Sequence, residues 1–94
     1  MTKANLVQEI SKQTGIYRKD VSIVVDSFLE AIKNNMEQGH HIEIRGFGTF
    51  KNRERKTRIG RNPKTGVEVE IPSRVVPSFK FSKFLKDSVA KKNK

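Results

Sequence analysis

The residues of this chain with the clearest functional pattern are its cations. Their number and spacing favour the binding of a polyanion. Residues 51–66 hold seven basic side chains and one acidic one. Residues 1–50 hold six of each, so the whole formal charge of +10 comes from the second half. Charge concentrated on one extended segment points to a polyanionic partner. The alternative is a solvated basic face that only keeps the protein soluble.

The residue types used in catalysis or metal binding form no convergent pattern. The chain has no cysteine, which excludes a disulfide framework, a thiol nucleophile and a cysteine-containing zinc site. Adjacent His40 and His41 would point to opposite faces of a strand, so we expect surface residues rather than joint metal ligands. The G-x-G at residues 46–48 lacks the Gly-Lys-Ser/Thr that completes a phosphate loop. We therefore predict no enzyme, no cofactor and no metal site.

The first part of the chain has the periodicity of two amphipathic helices. One is predicted at about residues 3–13, with Thr2 as its N-cap and Gly15 as its stop. The second follows the i, i+3, i+4, i+7 spacing over four turns and ends before Gly39, although Tyr17 is a poor cap for it. The apolar stripe of this second helix consists of Val21, Val24, Val25, Phe28, Leu29, Ile32 and Met36.

After Gly39 the spacing of the apolar residues changes from the helical pattern to every second residue. Ile42 and Ile44 alternate with polar residues, which predicts a half-buried strand. We predict that this strand continues through GFGTF at residues 46–50. Gly46 and Gly48 would then allow a bulge or the close approach of another backbone.

GRNPKTG at residues 60–66 has the composition of a tight reversal between two strands. If Gly60 and Gly66 lie opposite each other, the flanking strands form a ribbon with charges on one face and apolar side chains on the other. The predicted pairs are Arg58 with Glu68, Lys56 with Glu70, Ile59 with Val67 and Thr57 with Val69. Two strands alone are marginally stable in water, so we expect a projecting arm that becomes ordered on binding. At a rise of about 3.3 Å per residue, nine residues would reach roughly 30 Å.

Turn chemistry explains part of the tip of this arm. Pro63 fixes its own φ and Gly66 is free to adopt a positive φ. Turn chemistry does not explain why Arg61 and Lys64 flank the proline. A compact apolar wedge between cations suits a minor-groove binder, whose cations neutralise phosphates while the wedge enters between base pairs.

Three motifs, GFGTF, GRNPKTG and IPSRVVPSFKFSKFLKD, together with the two leading helices, resemble the bacterial HU and integration host factor family of architectural DNA-binding proteins. The resemblance covers residues 1–90. It implies an α+β fold with two N-terminal helices, a three-stranded antiparallel sheet with a long protruding β-ribbon arm, and a short C-terminal helix. It also implies an intertwined dimer that bends and compacts duplex DNA from the minor groove, in the nucleoid of the cytoplasm. Bent, nicked or deformable sites would be favoured.

The resemblance also implies roles for individual residues. Pro63 would intercalate between base pairs at the kink. Cations of the arm and the body would contact DNA around it. The DNA-binding residues implied in this way are Lys3, Arg53, Arg55, Arg58, Arg61, Asn62, Pro63, Lys64, Arg74, Lys80, Lys83 and Lys86. We expect one domain over residues 1–94, with the arm at about 52–72 and a frayed basic tail at about 90–94.

The chain departs from the usual family pattern at the start of the last helix. Ser82 can cap a helix over residues 83–89. Phe81 and Phe84 either enlarge the dimer core or leave an apolar spot near the DNA face. RVV at residues 74–76 is more similar to the integration host factor branch and VPSFK at 76–80 to HU, so a subunit with a sequence preference is the alternative to a non-specific binder.

A dimer also follows from the residues without the family. After the arm and the tail are set aside, roughly 70 residues remain, a size at which one chain often needs a partner to complete its core. Phe47, Phe50, Phe79 and the helical stripe with Phe28 exceed what one small helix pair can cover. We predict a core shared between two chains, identical ones by default, with a heterodimer of paralogues as the alternative.

Two other classes of partner are less well supported by the sequence. A single-stranded RNA would need aromatic platforms, and Tyr17, the only tyrosine, lies outside the basic segment. A membrane partner is not expected, because no run of about 18 apolar residues is present. Double-stranded DNA remains the predicted partner.

Overall fold

The computed structural model describes residues 1–93 of the 94-residue chain. Within these residues two helices come first, five strands follow and a third helix ends the described chain, which is the order predicted for an α+β protein. The elements are α1 (Lys3–Thr14), α2 (Arg18–Glu37), β1 (Ile42–Ile44), β2 (Gly48–Arg55), β3 (Arg58–Arg61), β4 (Glu68–Ile71), β5 (Arg74–Phe81) and α3 (Lys83–Lys92). They form two compact units, the first at Met1–Asn35 and the second beginning at Met36. None of the helices described within residues 1–93 combines the length and apolar character needed to cross a membrane.

The first unit contains α1 and most of α2. Thr2 is the N-cap of α1, as predicted, and Asn5 Oδ1 accepts hydrogen bonds from the Thr2 N–H at 2.8 Å and the Thr2 hydroxyl at 2.9 Å. Gly15 ends α1 in the left-handed region, with φ 75°, and its N–H donates to the Ser11 carbonyl. Val7 and Val21 are the apolar side chains that this unit buries, each 4% exposed.

The second unit is built on a three-stranded antiparallel sheet in the order β1-β2-β5. The register pairs Ile42 with Phe50, and Phe50 in turn with Phe79. The Phe50 and Phe79 rings lie 4.4 Å apart between centroids, and Phe47 and Phe81 also pack against Phe79. This aromatic cluster is the start of a core rather than a complete one, because Phe47 and Phe81 are each about half exposed.

The prediction that the first strand runs on through GFGTF is wrong. The chain reverses at residues 45–47, where the Phe47 N–H donates to the Ile44 carbonyl at 2.9 Å and Gly46 takes φ 80°. The positive φ that glycine allows at Gly46 makes the turn, so the following residues return as β2. The prediction of a close approach is confirmed at Gly48, which is packed against the Phe79 ring and lies beside the Lys80 carbonyl.

The predicted arm is present as a separate two-stranded ribbon of β3 and β4, but its predicted register is wrong. Arg61 lies opposite Glu68, and Ile59 lies opposite Glu70. The loop comprises residues 63–66, closed by hydrogen bonds from the Asn62 N–H to the Val67 carbonyl and from the Gly66 N–H to the Asn62 carbonyl. Gly66 therefore lies inside the loop, at φ 72°, rather than on the ladder opposite Gly60.

This ribbon continues the β2–β5 ladder in the same register, so the pairing of residues between the two strands is not shifted. Arg55 lies opposite Arg74, and three positions further along each strand Arg58 lies opposite Ile71. Between these two rungs the ladder is interrupted at Lys56 and Thr57 on one side and at residues 72 and 73 on the other. Pro72 has no N–H to donate there. No bulge shifts one strand against the other, so the same faces continue across the interruption.

The last helix begins where the sequence predicts. Ser82 is its N-cap, and its hydroxyl oxygen accepts from the Leu85 N–H at 3.1 Å. α3 extends to Lys92, beyond the predicted end at residue 89. The predicted frayed tail at about 90–94 stays a prediction, because Lys94 lies outside the described residues.

Candidate nucleic-acid interface

The β2–β5 ladder separates cations from aromatic rings. Residues directly opposite each other in an antiparallel pair share a face, and alternate residues along a strand share it too. One face therefore carries Lys51, Arg53, Arg55, Arg74 and Lys80. The other face carries Phe50, Asn52, Phe79 and Phe81. All five cations are exposed, so this strand pair presents a basic face to solvent and keeps its rings on the opposite face.

At the outer end of this basic face, Arg55 lies directly opposite Arg74. Like charges in directly opposite positions destabilise a strand pair. A concave surface surrounds them, which we call the arm-base cleft. It is lined by Arg55, Lys56, Arg58, Ile71, Pro72, Arg74, Val76 and Pro77. Four of these eight residues are cations and none is acidic, so the cleft is complementary to an anion.

A second basic surface lies at the junction of the sheet and α3. The Ser82 N–H donates to the Phe47 carbonyl at 2.9 Å, which fixes the start of α3 beside the β1–β2 turn. This brings the predicted site residues Lys80, Lys83 and Lys86 around one concave surface. Glu43 is its one acidic lining residue within the described chain.

Arg45 belongs to this same surface and was not predicted from the sequence. Its position directly before Gly46 is the signal that could have identified it, because a turn residue next to a strand end is exposed. The prediction that the strand continues through GFGTF placed Arg45 in the middle of a strand instead.

Asn62 holds the tip of the arm in shape. Its Oδ1 accepts a hydrogen bond from the Lys64 N–H at 2.9 Å, and its carbonyl accepts from the Gly66 N–H at 2.7 Å. Its own N–H donates to Val67, so both backbone groups and the side-chain oxygen of Asn62 are used inside the loop. The loop leaves Pro63 exposed at its first position, between the exposed side chains of Arg61 and Lys64.

Lys3 is the one predicted DNA-binding residue in the first unit. Its Nζ lies 2.5 Å from Asp26 Oδ1, and the two side chains are 54% and 52% exposed. An ion pair this exposed contributes little to stability. Lys3 therefore has a protein partner for its charge, whereas no carboxylate lines the arm-base cleft.

Comparison with known proteins decides the family. Residues 1–90 match the family described as bacterial DNA-binding protein. The chain belongs to this family. The resemblance predicted from the motifs is thereby confirmed, over the same residues.

Relatives of this bacterial DNA-binding protein come from both branches. DNA-binding protein HU 1 of Bacillus subtilis is 44% identical over 92 residues, which cover 98% of this chain and 100% of the relative. Integration host factor subunit beta of Marinobacter nauticus is 48% identical over 90 residues, covering 95% and 92%. A cocrystal structure of Anabaena HU with DNA has a TM-score of 0.89 and 38% identity, covering 96% of this chain and 98% of that one.

The two aromatic residues at the start of the last helix, Phe81 and Phe84, have different surroundings. Phe81 packs edge-on against Phe79, with centroids 4.8 Å apart, so it extends the aromatic cluster. Phe84 is 76% exposed on the first turn of α3, between Lys83 and Lys86 in the sequence. Of the two roles left open by the sequence, the described contacts favour the core for Phe81 and the surface for Phe84.

Proposed function

We propose that this protein is an architectural factor that holds duplex DNA on its basic face and bends it, with no enzymatic step. The observation that carries the proposal is the segregation of Lys51, Arg53, Arg55, Arg74 and Lys80 on one face of the β2–β5 ladder. That face ends in two arginines opposite each other, an arrangement that destabilises the strand pair unless an anion lies between them. A polyanion with regularly spaced phosphates could neutralise the cations along the whole of this face.

The arm supports a groove-binding role. The ribbon of β3 and β4 is exposed along its length, apart from the partly covered Gly60 and Ile71. A two-stranded ribbon can lie in a groove of B-DNA, and minor-groove binders insert apolar wedges between base steps. Pro63 is exposed at the tip, in a loop shaped by the hydrogen bonds of Asn62, and this exposure supports a role as such a wedge. We therefore assign intercalation to Pro63 and phosphate contacts to the cations beside it.

The proposed contact residues are those that the sequence implied, together with Arg45. Asn62 has a structural as well as a contact role, because its side-chain oxygen already accepts a hydrogen bond. The full set is Lys3, Arg45, Arg53, Arg55, Arg58, Arg61, Asn62, Pro63, Lys64, Arg74, Lys80, Lys83 and Lys86. The arm at about 52–72 and one functional domain for the whole chain are part of the same proposal.

The functional form is proposed to be a dimer. Within residues 1–93, the apolar side chains buried in a single protomer are Val7 and Val21. The α2 stripe leaves Val24, Phe28 and Leu29 at least half exposed, and Phe47 of the aromatic cluster is 45% exposed. Exposed apolar surface of this extent marks a protein interface. A second copy, or a paralogue, would complete the core with Phe28, Phe47, Phe50 and Phe79.

The dimer can be tested by sedimentation. The wild type should sediment with twice the mass of one chain, and Phe28→Gln should shift it toward the monomer or unfold it, since it places an amide in the shared core. Ile23→Gln is the matched control, because Ile23 is also exposed on α2 but lies well away from the stripe of Val24 and Phe28. A wild type that sediments as a single chain at micromolar concentration would contradict the dimer.

Sequence preference is expected to come from the DNA rather than from base contacts. The minor groove distinguishes A·T from G·C only coarsely, so a bending protein reads deformability instead. Nicked or pre-bent duplexes, in which part of the bending energy has already been supplied, should therefore bind more tightly than straight ones. Binding of this kind suits a protein of the cytoplasmic nucleoid.

Salt dependence is the direct test of the phosphate contacts. The affinity for duplex DNA should fall steeply with salt, because each neutralised phosphate releases condensed counterions. Arg58→Ala should weaken binding to all sequences similarly and reduce the slope of log K against log salt by about one unit. Lys12→Ala removes a cation from α1 that is outside the proposed contacts and should leave the slope unchanged. A wild-type slope near zero would exclude the mechanism.

A further inference from the structure

The arm is joined to the sheet at the one place where the described ladder has no rungs. Lys56 and Thr57 follow β2, and Pro72 and Ser73 precede β5, without pairing. Pro72 lacks the N–H that a ladder bond would need. The register is nevertheless the same on both sides, so nothing in the strand offset prevents the ribbon from closing. We call this interruption, where unpaired residues join two aligned ladders, the hinge.

Charge repulsion is concentrated at this hinge. Arg55 and Arg74 form the last rung before it and share one face, whereas Arg58, on the first rung beyond it, belongs to the other face by the alternation of side chains. Glu54, the neighbour of Arg55, belongs to the opposite face because side chains alternate along β2. By the alternation of side chains Glu70 and Glu68 belong to the same face as Arg55 and Arg74, but the Ile59–Glu70 rung lies four residues further along, about 13 Å at 3.3 Å per residue, and neither carboxylate lines the cleft. The Arg55–Arg74 repulsion is therefore not offset by a carboxylate of the arm-base cleft.

We propose that the arm-base cleft is a phosphate-operated clamp: one phosphate bound between Arg55 and Arg74 removes their repulsion and closes the hinge, which stiffens the arm. The physiological ligand is a backbone phosphate of the bound duplex, and in this respect the inference rests on the proposed function. Guanidinium groups suit this role, since each presents a planar fork of donors that can hold phosphate oxygens bidentately.

The clamp differs from an ordinary phosphate contact in what it does to the free protein. An ordinary contact adds affinity and leaves the unbound arm as it was. At the clamp the two arginines oppose closure until the anion arrives, so the arm is loose before binding and rigid after it. Removing one arginine should therefore make the free arm more ordered while weakening the grip on DNA, two effects of opposite sign.

Hydrogen exchange of the β3 and β4 amides is the measurement. Pyrophosphate is the probe, added to the full-length protein and compared with sodium chloride at equal ionic strength. In the wild type, pyrophosphate should slow exchange of these amides by about two- to fivefold, the range that one cross-strand pair can supply. The amides of α1 should not respond, since they lie outside the clamp.

Two substitutions separate the clamp from general charge effects. Arg74→Gln should slow exchange in the free protein by a similar factor and abolish the response to pyrophosphate. Arg74→Glu should close the hinge without any anion, by placing a carboxylate opposite Arg55, and should bind duplex DNA more weakly than Arg74→Gln. Lys12→Gln is the matched control, because it removes one positive charge from the first unit, and it should behave as the wild type does.

The outcomes distinguish the clamp from the proposed function. If the β3 and β4 amides exchange at equal rates in the wild type and Arg74→Gln, and pyrophosphate changes neither rate, the clamp is overturned. This holds even if duplex DNA binds normally. If pyrophosphate slows exchange in the wild type but the wild type does not bind duplex DNA, duplex DNA is not the ligand of the clamp. That result points to a free phosphate compound instead. Closure by both pyrophosphate and a short duplex, lost in Arg74→Gln for both, supports the clamp.

Discussion

Replacing Pro63 with Ala is expected to remove most of the bend that the protein imposes on DNA while leaving much of its affinity. The proposed wedge is lost, but Arg61 and Lys64 remain, and the hydrogen bond from the Lys64 N–H to Asn62 still shapes the loop. Unstacking a base step costs on the order of a few kcal/mol, which the bent duplex recovers by reaching more basic surface. The bend angle is measured by energy transfer between fluorophores on the two duplex ends, at saturating protein.

Lys64→Ala is the contrasting variant for this experiment. It removes a proposed phosphate contact but keeps the proposed wedge, so it should lower affinity and preserve the bend at saturation. Nicked duplex, in which the bending cost is partly met, should be bound by Pro63→Ala almost as well as by the wild type. An unchanged bend angle in Pro63→Ala would mean that the proline serves only the turn.

Gly48→Ala is expected to be among the most destabilising single-methyl changes in the protein. A Cβ at this position would lie 2.6 Å from the Lys80 carbonyl oxygen and collide with the Phe79 ring. The carbonyl belongs to the backbone of the β2–β5 ladder, so it cannot move without loosening the Thr49–Lys80 rung. Overpacking of this kind costs about 1–3 kcal/mol and sometimes more. We expect a loss of about 3 kcal/mol in urea unfolding at fixed protein concentration.

Gly46→Ala is the matched control, two residues earlier. No atom lies within 4 Å of the Cβ it would gain, but the residue has φ 80°. Its cost should come from the backbone alone, about 1–2 kcal/mol for an L-residue in the left-handed region. If both variants lose the same stability, backbone conformation rather than the contact with Phe79 and Lys80 determines the effect at Gly48.

The capped ends of the helices could be predicted because their signals are local, whereas α3 extends past its predicted end at residue 89. The cap at Thr2, the stop at Gly15 and the cap at Ser82 each depend on groups within a few residues, and all three are present in the structure. Exposure of the two adjacent histidines also follows from local polarity. The excess of basic residues in the second half of the chain is a matter of composition, so a polyanionic partner could be predicted from the amino-acid sequence alone.

The register of the arm could not be predicted because it depends on how many residues the loop takes. Two glycines flank the tip, and symmetry suggested that they pair. Hydrogen bonds of Asn62 instead enclose four residues, Gly66 among them. The resulting offset of three positions moves Val67 off the ladder and places Glu70 opposite Ile59 rather than Lys56. One loop residue more or less changes the facing of every later side chain.

The pairing of Arg55 with Arg74 across the ladder could not be predicted from the sequence, for a related reason. These two residues are far apart in the sequence, and the offset that brings them together is set by the tip of the arm. The same is true of Arg45, which joins Lys80, Lys83 and Lys86 only because the chain turns at Gly46. The number of charged residues can be counted in the sequence. Which of them face each other is determined by the turns.

The unbroken offset of the two ladders restricts how such an arm could lengthen or shorten. A residue inserted in β3 alone would turn Arg61 to the far side of the ribbon, and one inserted in each strand would invert the arm relative to the sheet. Only insertions of two residues per strand keep every side chain on its present side. Each such insertion moves the tip by about 6.6 Å along the ribbon. The distance from the body to the tip of the arm is therefore adjustable only in steps of about 6.6 Å.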